Sequence, residues 1–193
     1  MHARRFVGVI FGTLALGLAS HAAKIQVAVY DYAGLTTAEL RAAEAEAGRY
    51  YRPEGIEFDW TRCGAHGWRE ITCAKVVRPQ ALIINLLPQK MAARATRDAD
   101  ALGFAWSGTH IAGVLCARAT ELAEEARMPR PQVLGMVMAH ELGHLLLGAG
   151  AHEHRGIMVA HWTADRVVLL RAQPFFVANA RRRLEQEAAQ IAG

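Results

Sequence analysis

The sequence predicts a single α+β domain in which a mixed β-sheet packs over one long buried helix and the C-terminal part is mostly helical. Three observations carry this. Two stretches, Lys24 to Tyr32 and Ile56 to Cys63, alternate apolar and polar residues as half-buried strands do. Ala81 to Leu87 is a continuous apolar run ended by Pro88, as in a strand covered on both faces. The segment from about Gln132 to Leu147 is apolar almost all the way round a helix, the pattern of a buried one.

The chain starts differently from the rest. His2-Ala3-Arg4-Arg5 is basic, Phe6 to Ala19 is nearly uninterrupted apolar, and Ser20-His21-Ala22 supplies the small residues that a signal peptidase reads. Residues 1–22 are therefore expected to be a cleavable signal peptide, leaving residues 23–193 as one domain in the periplasm or outside the cell. The apolar run is shorter than the roughly 20 residues a membrane span needs, so no stable membrane insertion is expected after cleavage. At 193 residues and 52% apolar, the chain can bury one core without a second domain.

From Lys24 the elements follow in order. The first strand is succeeded by a helix capped by Thr36 or Thr37 and running to about Tyr51, with Pro53 and Gly55 stopping it before the Ile56 strand. After the Ala81 strand, Met91 to Ala101 reads as a loop with a helical turn. Gly103 to Ala119 reads as irregular chain leading into a strand at about Ala112 to Ala117, expected at the sheet edge where an extended peptide can pair with it. Ala119 to Met128 is helical, and Pro129-Arg130-Pro131 breaks the pattern before the long apolar helix. Gly148 and Gly150 terminate that helix. Thr163 caps a short helix through Leu170, and Pro174 starts a last one reaching about Ala189.

Charge and cysteine content narrow the partners. The net charge of +4 falls to about +2 once Arg4 and Arg5 leave with the signal peptide, a balance that points to no nucleic-acid partner. Arg181-Arg182-Arg183 is followed by Glu185 and Glu187 at helical spacing and reads as a solvated helix face. Cys63 and Cys73 flank a turn-prone stretch and can close a disulfide in an oxidising compartment, while Cys116 sits in an apolar run as a small buried hydrophobe. His66 and His110 read as loop residues, and His21 leaves with the signal peptide. Oligomeric state is not legible.

The long helix carries the chemistry. Its ionisable residues beyond the first turn are His140, Glu141 and His144, and burying them costs several kcal/mol unless a partner or metal compensates. His140 and His144 are four apart, so both rings leave one helix face and can converge on one ion, as zinc requires of its imidazole ligands. Glu141 is displaced around the helix, beside the ion, where it can take a proton from water. A third ligand must come from beyond the glycine turn. His152 is the first imidazole there, with His154, then Glu153 and His161, as alternatives. Gly156-Ile157-Met158 can turn beneath the site.

His140-Glu141-Leu142-Gly143-His144, then Gly148, His152 and Met158, resembles the metzincin clan of zinc metalloproteases. Residues 134–162 are more similar still to small exported bacterial proteins of unassigned function with a His-Glu-Leu-Gly-His-Leu-Leu-Leu-Gly motif, a later His and a Gly-Ile-Met. The resemblance implies a zincin-like metallopeptidase domain over residues 23–193, Zn2+ held by His140, His144 and His152, Glu141 as general base, Met158 as the Met-turn residue, and a peptide or protein substrate. One departure stands out: Gly148 is four residues after His144 and His152 four beyond Gly148, whereas the familiar motif has three and three. The competing expectation is an exported module that holds zinc without turning over a substrate, in which Glu141 would have no task.

Overall fold

Thr36 starts the first helix with a reciprocal cap: its hydroxyl accepts from the Glu39 backbone N–H while the Glu39 carboxylate accepts from the Thr36 N–H. Helix α1 (Thr37–Tyr51) crosses between strands β1 (Ala23–Asp31) and β2 (Ile56–Gly64), which pair in parallel from Ala23 opposite Ile56 to Asp31 opposite Gly64. The computed structural model describes residues 22–64, 73, 75–96, 98, 100–106, 108–148, 150–173 and 175–192. The expected signal peptide, apart from Ala22, lies outside them, as do His66 and Pro174.

Strand β3 (Leu82–Leu87) joins β1 in parallel on its other side, and β5 (Ile111–Leu115) joins β3 in parallel. The three residues of β4 (Gly103–Ala105) run antiparallel to β5 and complete the order β2-β1-β3-β5-β4. The sheet is mixed, as the sequence predicts. The edge assignment is corrected: the strand expected at Ala112 to Ala117 ends at Leu115 and lies between β3 and β4, so β4 is the outer strand. The physical reason is length. Gly103-Phe104-Ala105 is too short for alternation to register, whereas the apolar run of β5 is that of a strand flanked on both sides.

Helix α2 (Gln89–Ala95) replaces part of the loop expected from Met91, and α3 (Cys116–Glu125) begins immediately after β5, with Cys116 buried in its first turn. Helix α4 (Arg130–Leu147) then runs beneath β3, β4 and β5 and against α1 and α3. Pro131 sits in its first turn, where a missing N–H is harmless. Helix α5 (Ala164–Ala172) is capped by Thr163, which accepts from Arg166 N–H, and α6 (Ala178–Ala192) packs on α4 and β1. Among the described residues no helix is long and apolar enough to cross a membrane.

Cys63 and Cys73 form a disulfide beside Ala28 on the sheet face away from α4. The arginines of α6 are exposed, as expected, but Arg181 and Arg183 find partners elsewhere in the fold. Arg181 Nε donates to the buried Glu54 carboxylate at 2.6 Å, and Arg183 donates to the Leu147 carbonyl at the end of α4. A guanidinium there satisfies a terminal carbonyl and complements the helix dipole.

Candidate metal centre

Helix α4 presents His140, Glu141 and His144 from one turn of a helix otherwise packed in the core. His140 and Glu141 are 7% and 3% exposed, so neither can rely on solvent. His140 Nδ1 lies 2.9 Å from the Ile157 carbonyl oxygen. A carbonyl only accepts, so Nδ1 carries the hydrogen and Nε2 turns a lone pair to the cleft. Such a bond from the outer ring nitrogen orients a metal-ligating histidine and fixes its tautomer.

After Leu147 the chain reverses. Gly148 has φ 85°, a conformation costly for any side chain, and its N–H closes the helix on the His144 carbonyl. The return brings His152 back over the helix. His144 Nε2 lies 3.1 Å from His140 Nε2 and 3.1 Å from His152 Nε2. Ligand nitrogens of His140, His144 and His152 lie within 4.8 Å of one another. With one hydrogen at most on His144 Nε2, protons can satisfy only one of its two contacts. A shared cation satisfies all of them.

The sequence favours His152 as the third ligand, with His154, then Glu153 and His161, as alternatives. The structure gathers His152 into the group and leaves the others out. The Glu153 backbone N–H donates to the Met158 carbonyl at 2.7 Å, which pairs the return loop with the segment carrying Met158. His161 acts on His152 only as a neighbouring charge. The longer spacing around Gly148 is thus absorbed by the return loop without losing the convergence.

Electrostatics favour the metal-binding form of each ring. Burial, reinforced by His144 and His152, pushes His140 down to about 3 against the pull of the Ile157 bond. Burial and His152 lower His144, and burial and His161 lower His152. All three are neutral at pH 7, and a metal displaces no proton to enter. Glu141 is pushed the other way, up to about 8, by burial. Its Oε2 is buried with no hydrogen-bond partner among the described residues. An orphan carboxylate oxygen in the same cleft as three converging imidazoles fits Zn2+, which takes imidazole nitrogen and whose charge favours a nearby carboxylate.

Met158 is buried, and its Sδ would lie 2.3 Å from a Cβ placed on Gly143, so it packs directly on the turn carrying the imidazoles. Three further contributors escaped the sequence reading. Tyr51 on α1 donates its hydroxyl to the Ala139 carbonyl at 2.7 Å, and burial and the Glu141 charge hold the phenol well above its ordinary value. The Trp162 ring meets His140 edge-on at 5.7 Å, anchored by its Nε1 on the Val159 carbonyl at 3.0 Å. The Ile157 carbonyl is backbone and has no residue-type signal; Tyr51 falls in the apolar spacing of α1 and reads only as core.

The triad floors a cleft of about 660 Å³ running along β4, with Gly103, Ala105 and Trp162 among its walls. The fold is similar to that of archaemetzincin. The structure of archaemetzincin from Methanopyrus kandleri superposes with a TM-score of 0.56 at 16% identity, covering 90% of this chain and 99% of that one. A zinc-dependent peptidase from Methanocorpusculum labreanum gives a TM-score of 0.58 at 13% identity, covering 82% of this chain and 99% of that one. No protein-family model and no curated protein matches the sequence. At these identities the likeness is one of fold, and the zincin-like α+β architecture expected from the sequence is the one observed.

Proposed function

We propose that the protein is an exported zinc-dependent peptidase in which His140, His144 and His152 hold Zn2+ and Glu141 is the general base. The observation that carries this is the meeting of the His144 ring with those of His140 and His152 at 3.1 Å, in the same cleft as a carboxylate whose buried Oε2 has no partner among the described residues. The fold of a solved zinc-dependent peptidase supports the same reading.

Bound at the triad, zinc would supply a Lewis acid that polarises the scissile carbonyl and acidifies water. The chain does the rest. Positive charge held at the triad would draw Glu141 back from about 8 towards the ionised form, the form in which this carboxylate accepts a proton from water. The same carboxyl then returns the proton to the leaving amine. His140, locked by Ile157, keeps its Nε2 aimed at the centre throughout. Trp162 and residues of α4 and β4 line the cleft around the triad.

Strand β4 supports an extended peptide substrate. Trp106 N–H donates to Ile111 O and Leu115 N–H donates to Leu102 O. Bonded and non-bonded pairs alternate in an antiparallel ladder, so Phe104 bonds Gly113 while Gly103 and Ala105 point their backbone groups away from β5 to the open edge. An added strand there would lie along the cleft. The Cys63–Cys73 disulfide supports export, because such bonds persist in oxidising compartments.

Three outcomes are expected. Glu141→Ala should keep bound zinc by metal analysis and lose about 100- to 10,000-fold of peptide cleavage, the worth of a general base; a parent that keeps zinc and cleaves no casein or mixed peptide would instead mark a zinc-binding module. Ala105→Pro removes an outward donor and leaves the β5 ladder intact, so KM for peptides should rise about 3- to 10-fold with kcat little changed, one hydrogen bond's net worth; an unchanged KM rules out edge pairing. Intact mass of protein from the exported fraction should place its first residue at Ala23, and a full-length mass of 21.1 kDa in that fraction would contradict a cleaved leader.

A further inference from the structure

We propose that Gly103 is a positioning residue for Glu141: the side chain missing from the edge strand leaves the space in which the carboxylate sits. This rests on the hydrolytic role given to Glu141 above. A Cβ built on Gly103 would lie 2.5 Å from Glu141 Oε1 and 2.7 Å from its Cδ. Neither separation is tolerable between non-bonded atoms, whose contacts settle near 3.5 to 4.0 Å.

The carboxylate can yield towards the cleft that it lines. It is 3% exposed, held between α4 on one side and the β4 backbone on the other. Giving way to a methyl group means rotating its oxygens along the cleft, which moves the base relative to the triad while leaving the imidazoles alone. A glycine inside a strand marks a close approach of something else to its backbone. Here that something is the Glu141 carboxylate.

The same Cβ would also meet the Gly113 carbonyl oxygen at 2.7 Å, so an alanine at 103 strains the strand pair as well as the carboxylate. Gly113 separates the two effects. A Cβ there would strike the Phe104 ring at 2.4 Å, disturbing the same two strands. Side chains alternate across a sheet, so Phe104 and Gly113 face away from Gly103 and Glu141.

The test compares Gly103→Ala, Gly113→Ala, Glu141→Ala and the Gly103→Ala/Glu141→Ala pair in two assays. In zinc-free protein, a double-mutant cycle on Tm should show the Gly103→Ala loss shrinking by about half or more when Glu141 is already alanine, since residues that share space are non-additive. In zinc-loaded protein, Gly103→Ala should keep the parent's zinc stoichiometry but lose about 100-fold in kcat, the scale of an ångström's misplacement. Gly113→Ala should keep most of its kcat despite a comparable loss of Tm. Additive Tm losses, or a Gly103→Ala kcat no lower than that of Gly113→Ala, would overturn the proposal. A parent that binds zinc and cleaves nothing sinks the hydrolytic reading instead, whereas additive Tm losses sink the role of Gly103 whatever the parent does.

Discussion

Three imidazole nitrogens brought within 4.8 Å of one another form an arrangement whose contacts protons satisfy only in part and a shared cation satisfies in full. Much of the local structure serves to impose it. Ile157 fixes the tautomer of His140, Tyr51 ties the preceding turn of α4 to α1, and Arg183 closes the helix end just before the chain reverses at Gly148. Met158 braces the same turn from below. None of these contacts is needed to form a helix, and together they hold its two imidazoles in one orientation.

The neutral state of the rings and the raised carboxyl share one cause. Burial penalises charge, so it lowers the histidines and lifts Glu141. A divalent ion reverses the second effect and exploits the first, because neutral imidazole is the ligand form and a nearby carboxylate is stabilised by positive charge. Site and core are therefore not competing designs. The apolar packing around α4 is what makes its polar residues useful.

Much of this was legible in the sequence because it rests on periodicity and spacing. The i,i+4 histidines on an all-round apolar helix, the glycines after Leu147 and the alternation in β1 and β2 are each one-dimensional signals of three-dimensional facts. What the sequence hid was set by contacts between distant segments. The three residues of β4 carry no period, so the sequence alone points to β5 as the edge strand, although β4 walls the cleft. The choice of His152 over His154 depends on how a glycine return folds back, and the partners of Arg181 and Arg183 lie on other elements entirely. Gly103 matters through Glu141, thirty-eight positions away, which spacing along one element cannot reveal.

Zinc-edge X-ray absorption on the parent and His152→Ala proteins tests the convergence most directly. The expected result is three imidazole shells at about 2.0 to 2.1 Å in the parent, and one fewer when His152 is removed. An identical ligand shell in both proteins, or a parent that takes up no zinc, would contradict it.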